Sequence, residues 1–216
     1  EIQLAGLSTR DNPEVIDAYW MPARASEGLF KSKGSKHFGY IFPVRTEDEI
    51  AEHLAALRKQ HHAARHHCYA WRLGPEAEQW RAQDDGEPAH SAGTPILGAL
   101  RSREVTYCLA VVVRYFGGIK LGVGGLIEAY REATLDALDQ GELKECHVVA
   151  VWEARFEYDR MSDAMRILKE FDCSPEETDF RESCRLVTSI RLGRSEALGE
   201  ALNGVYGIEA KRLRVG

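Results

Sequence analysis

Residues 114–126 read Arg-Tyr-Phe-Gly-Gly-Ile-Lys-Leu-Gly-Val-Gly-Gly-Leu, and five of the thirteen are glycine. The apolar run Leu109 to Val113 leads in, and an amphipathic pattern from Leu126 to Leu138 leads out. The stretch therefore joins a buried strand to the start of a helix. Glycine lets backbone N–H groups approach a ligand closely. A helix start offers unpaired donors and a partial positive charge, which suit an anion. Arg114 and Lys120 add two cations. Neither strict phosphate fingerprint is met. Gly117 and Gly122 have P-loop spacing, but Val123-Gly124 follows in place of Lys and a hydroxyl residue. Gly122 and Gly124 open a dinucleotide motif that Ile127 breaks. A ligand-free turn remains an open reading beside the anion site.

Outward from this stretch, Tyr107 to Tyr115 is the most apolar strand and is expected at the centre of its sheet. Upstream, Val15 to Ala25 reads as a strand whose Pro22 favours an edge. Phe38 to Val44 and Cys68 to Leu73 read as further strands. Thr46-Glu-Asp-Glu49 is a capping box, followed by a helical face of Ile50, His53, Leu54 and Leu57. Gly74 to Ser91 reads as an exposed loop, and Thr94-Pro95 as an N-cap with proline at the first helical position. Beyond Gly141 the texture changes. Val148 to Tyr158, a helical stripe from Met161 to Phe171, strand-like segments at 173–181 and 184–192, a helix over 197–202 and a last strand Val205 to Val215 follow. That order is β-α-β-β-α-β, the ferredoxin-like pattern. Two α+β domains are expected, residues 1–144 and 145–216.

The 216 residues are 44% hydrophobic and 29% charged, ordinary for a globular protein. No apolar run approaches the roughly 20 residues of a membrane helix. No signal-peptide pattern opens the chain, and Glu1 in place of Met suggests that leading residues are missing. The five cysteines are scattered and form no Cys-x-x-Cys pair, so a reducing cytoplasm is expected rather than a disulfide framework or zinc ribbon. The net charge of −6 excludes indiscriminate coating of nucleic acid but leaves room for a local basic patch.

Three further clusters carry candidate chemistry. Asp84-Asp-Gly-Glu-Pro88 could bind Mg²⁺, act as acid and base, pair with Arg114 or Lys120, or form a solvated turn. In His61-His-Ala-Ala-Arg-His-His-Cys68, strand alternation sets His66 and Cys68 on one face and His67 on the other. The spacing is poor for zinc, and structural use or one histidine lining a site is favoured. Lys31-Ser-Lys-Gly-Ser-Lys-His37 reads as a flexible basic segment that a phosphate backbone would attract. Phe38, Tyr40, Tyr115 and Phe116 offer aromatic surface for stacking, with most expected in the core.

The ordered set His66-His-Cys-Tyr-Ala-Trp-Arg72, Asp84-Asp-Gly-Glu-Pro88, Ala92-Gly-Thr-Pro95, the stretch from Val111 to Leu126 and Ala129-Tyr130 resembles the IMPACT/YigZ family of the bacterial two-domain type over roughly residues 26–140. His90-Ser91, between two of the motifs, is a minor departure. The resemblance implies a first domain like the second domain of ribosomal protein S-five. It implies a second domain like the ferredoxin-like domains of elongation factor G. Eukaryotic members of the family resemble translational regulators carrying an extra N-terminal partner-binding domain, absent from this sequence, so their mechanism does not transfer directly.

The leading expectation is a cytoplasmic, non-enzymatic translation-associated factor that binds RNA or the ribosome. Its groove would set Arg72, Arg114, Lys120, Lys31, Lys33 and Lys36 against phosphate. Gly117, Gly118, Gly122, Gly124 and Gly125 would allow close approach, while Asp84, Asp85 and Glu87 order the cations. No cofactor or metal is expected in this reading. The alternatives are an enzyme holding a phosphorylated small molecule or nucleotide through Mg²⁺, and a protein-binding module.

Overall fold

The computed structural model describes residues 17–179 and 183–216. They fall into two compact units, one of Tyr19–Cys146 and one of the described residues from 147 to 216 together with Asp17 and Ala18.

The first unit runs β1 (Ala18–Pro22), β2 (Ser26–Ser32), β3 (Ser35–Pro43), α1 (Glu47–Gln60), β4 (His66–Leu73), β5 (Gln79–Gln83), α2 (Gly93–Ser102), β6 (Cys108–Tyr115), α3 (Gly122–Asp139) and β7 (Leu143–His147). β1 pairs with β7, and the others form a five-stranded sheet in the order β2-β3-β6-β4-β5. All pairings in that sheet are antiparallel. β6 is central, and Leu109 to Val113 are 0% exposed, because both faces are covered. Ala110 and Val112 pack with Ile96, Leu100, Ala129 and Tyr130 of α2 and α3. Leu109, Val111 and Val113 pack with Ile50 and Leu57 of α1. α3 lies unusually close to the sheet. A methyl group at Gly28 would fall 2.4 Å from the Ala137 nitrogen, and one at Gly39 would fall 2.2 Å from the Ala133 carbonyl oxygen.

Thr46 caps α1 by accepting from the Glu49 N–H at 3.2 Å. Glu49 reaches back one residue further than a standard capping box, to the Arg45 N–H at 2.7 Å. Three local expectations are corrected. The 74–91 segment contains an edge strand, β5, rather than loop throughout. α2 begins at Gly93 with Ala92 at its cap position, so Thr94 lies inside the helix. The basic segment is a β-hairpin, not a flexible loop: β2 pairs with β3 out to Ser32 and Ser35, and Lys33 and Gly34 turn with φ of 45° and 81°. The strand expected at Val15–Ala25 is confined to Ala18–Pro22 among the described residues, with 15 and 16 lying outside them.

The second unit runs β8 (Val149–Phe156), α4 (Met161–Glu170), β9 (Glu177–Asp179), β10 (Cys184–Arg191), α5 (Ser195–Asn203) and β11 (Ile208–Val215), with sheet order β11-β8-β10-β9. This is the β-α-β-β-α-β order. Residues 180 and 181 of the segment expected at 173–181 lie outside the described residues. One sheet face packs Trp152, Ala154 and Leu186 against Leu168 and Leu198. On β8, Glu153 binds Arg185 at 2.5 Å and Arg155 and Lys211 at 3.2 Å. Arg185 first, then Arg155, pulls its carboxyl down to about 2.

Candidate functional site

β6 delivers Arg114 and Tyr115 to the end of the sheet, and the glycine stretch then carries the chain into α3. A cleft of about 850 Å³ opens there, and Arg65, His66, Glu87, Arg114, Lys120 and Gly122 are among its walls. Gly118 and Gly122 have φ of 90° and 75°, which only glycine adopts without strain. A methyl group added at Gly118, Gly122 or Gly124 would meet nothing within 4 Å. Gly125 would touch the Leu121 side chain at 3.1 Å. Gly117 differs, since its methyl would fall 1.9 Å from the Gly34 carbonyl carbon. Its role is therefore to seat the loop against the β2–β3 hairpin, not to admit a ligand. α3 starts four residues earlier than its apolar pattern, at Gly122, with no side-chain cap and no acidic residue in its first turn. Its first residues, Gly122 and Val123, line the cleft, and the first turn carries no carboxylate of its own.

The floor is a buried ion pair. Arg114 Nη1 donates to Glu87 Oε1 at 2.6 Å, with the two side chains 9% and 4% exposed. The Tyr130 hydroxyl, from α3, donates to the same oxygen at 2.7 Å. Arg114 Nε is buried and has no hydrogen-bond partner. Burial pushes the Tyr130 hydroxyl and the Cys68 thiol well above their usual ranges, so neither ionises near neutrality. His37 packs edge-on against Tyr130 at 5.3 Å. Burial, then the Arg114 charge, lowers its imidazole to about 4.

The three acidic residues part company. Asp84 Oδ1 accepts from the N–H groups of Ala92 and Gly93 at 3.0 and 2.8 Å, capping α2 from outside the helix. Its Oδ2 accepts from the His90 N–H at 2.9 Å. Burial works to raise this carboxyl, but the donors at Gly93, His90 and Ala92 outweigh it and hold it low. Asp85 pairs with Arg58 at 3.0 Å and accepts from the His67 N–H at 2.7 Å. Only Glu87 lines the cleft. Among the described residues no group of three or more His, Cys, Asp or Glu is placed to hold a metal. Asp84 caps α2, Asp85 pairs with Arg58 and Glu87 pairs with Arg114, so the three carboxylates do not converge on one point.

The other expected cations, Arg72, Lys31, Lys33 and Lys36, do not line this cleft. Arg72 donates to the Val105 carbonyl at 2.7 Å. It pairs with Cys108 at the opposite end of β4 from His66, which pairs with Arg114. Lys31 and Lys36 face each other across the hairpin. Lys36 lines a second, shallow hollow of about 370 Å³ with Phe38, His61, Tyr115 and Phe116. Phe38, Tyr115 and Phe116 are three of the four aromatic residues that the sequence offered for stacking, whereas sequence reasoning gave no role to Arg65, which precedes the strand that brings His66 beside Arg114. His66 is a cleft residue, and its Nδ1–H donates to the Asp85 carbonyl at 2.9 Å, leaving Nε2 as the acceptor in the neutral ring.

Residues 33–138 match the Impact N-terminal domain. The chain is 31% identical over 186 residues to the IMPACT family member YvyE of Bacillus subtilis (strain 168), covering 86% of each protein. This protein belongs to the IMPACT family. It is also similar to the IMPACT family member YigZ of Escherichia coli (strain K12), 37% identical over 159 residues, covering 73% of this chain and 78% of that one. A solved crystal structure described as that of an hypothetical protein superposes with a TM-score of 0.67 at 26% identity. It covers 93% of this chain and 99% of the other. The IMPACT-domain match contains every element that builds the cleft, from the hairpin turn to α3.

Proposed function

We propose that this IMPACT-family protein is a cytoplasmic translation-associated regulatory factor that binds RNA or the ribosome through phosphate contacts in the α3 cleft. One observation carries the proposal. Arg65 and Lys120 stand exposed on the cleft with no ion-pair partner among the described residues, while Glu87, its sole carboxylate among them, is tied to Arg114 and Tyr130. The lining is therefore net positive in a chain of net charge −6, and an open helix start adds to it. Family membership supports the translational part. The enzyme alternative has less support, because Asp84, Asp85 and Glu87 do not converge. The protein-binding alternative would use the 74–91 segment, whose β5 presents an exposed edge.

The test is co-sedimentation with ribosomes and total RNA across a salt series. About three phosphate contacts would cost roughly 20- to 40-fold in affinity between about 50 and 200 mM salt. Lys120→Glu should weaken binding and lower the salt slope by roughly one contact. Binding that ignores both salt and Lys120→Glu overturns the proposal.

A further inference from the structure

The cleft and the shallow hollow are not separate features. Tyr115 and Phe116 line both, and they meet where β6 leaves the sheet. On one side are phosphate-type partners: the open start of α3, Lys120, and Arg114 with its unpartnered, buried Nε. On the other are flat surfaces. Phe116 is 59% exposed although aromatic and large. The Arg114 guanidinium lies 5.6 Å from its ring centroid, so one face is occupied and the ring is steadied. Phe38 meets Tyr115 edge-on at 5.9 Å. The Tyr115 hydroxyl is held by His61 Nδ1 at 2.9 Å, and His61 Nε2 contacts the Tyr40 hydroxyl at 2.8 Å. The hollow thus has fixed aromatic walls, with Lys36 at its rim.

A continuous phosphate track would need only the cations. A held aromatic pocket joined to a phosphate pocket suits one flat ring attached to one phosphate. We propose that the two hollows form a single site for a nucleoside monophosphate unit, with the phosphate at the start of α3 and the base against Phe116 and Tyr115. This rests on the phosphate-binding reading of the cleft and narrows it. The unit is either a free nucleotide or one unstacked nucleotide of a single RNA strand. A base within a duplex is not free to enter.

The experiment titrates the full chain by calorimetry at low salt with adenosine monophosphate, ribose 5-phosphate, a short single adenine strand and an RNA duplex of equal length. Adenosine monophosphate should bind about tenfold more tightly than ribose 5-phosphate, a typical stacking increment. Phe116→Ala should erase that preference and Phe116→Tyr should restore it, with unchanged thermal melting because the ring is exposed. Lys120→Glu should weaken both small ligands alike. Equal binding of the two small ligands, or a preference that survives Phe116→Ala, overturns the base site. Salt-dependent binding of the strand in that case leaves the RNA reading standing. A base preference with no binding of strand or ribosomes supports the site, overturns the RNA reading and identifies a free nucleotide as ligand.

Discussion

Helices α2 and α3 both begin on glycine, yet the protein treats their first turns in opposite ways. Asp84 fills the α2 start, its carboxylate accepting, from outside the helix, from the Ala92 and Gly93 N–H groups. The α3 start has no such occupant among the described residues. The glycines differ to match. A methyl group at Gly93 would fall 2.5 Å from the Gln83 nitrogen, whereas one at Gly124 would meet open space. Glycine at α2 answers a packing demand. At α3 no neighbour demands it, and the space it leaves is what an anion would use. The same residue type in the first turn of two helices thus means two things, and only the surroundings separate them.

The largest way to break this contrast is Asp84→Ala, which strips an ionised acceptor from three backbone N–H groups. It should cost about 2–4 kcal/mol in urea unfolding. Because the native Asp84 carboxyl is held low, its contribution is present above the unfolded value of about 4 and is lost as pH falls through the lower native value. The gap between wild type and variant should therefore close below about pH 4. A gap that persists unchanged into strong acid would mean that the carboxylate is not the cap. Next in size is Gly93→Ala, which should cost about 1–3 kcal/mol because the new methyl meets backbone that cannot yield easily. Gly124→Ala should go the other way, gaining up to about 0.5–1 kcal/mol in helix propensity while weakening RNA co-sedimentation. Loss of stability in that variant, with binding intact, would erase the distinction between the two helix starts.

The sequence pattern was readable where the cause is local. The β6 run announces a strand covered on both faces, Thr46 and Glu49 announce a helix start, and the alternation of elements announces the second sheet. It failed where the cause is distant. The α2 cap is eight residues away from Ala92, across a turn, so Thr94-Pro95 supplied a local substitute that the fold does not use. β5 is largely exposed and polar, so it lacks the apolar alternation that marks a strand. α3 begins on glycines of poor helix propensity, held by tertiary packing instead. Arg72 lies close to His66 in sequence but not in space. Six residues of strand carry it about 20 Å away. The pairing of Glu87 with Arg114 was among the alternatives, but the sharing of Glu87 with Tyr130 needed three segments brought together.

The tight seat of α3 on Gly28 and Gly39 makes the helix a lever between its two ends. The helix is clamped around Ala133–Ala137, where Ser26 Oγ donates to the Ala137 carbonyl at 2.6 Å and the Leu29 N–H donates to Asp136 Oδ2 at 2.8 Å. Its far end, some 20 Å along the axis at about 1.5 Å per residue, overhangs the cleft. A tilt of one degree at the clamp would move that tip by roughly 0.4 Å. The push of a side chain forced in at residue 28 or 39 would therefore be transmitted along the helix to its start, where the anion site opens, against the packing of Leu121, Leu126 and Tyr130.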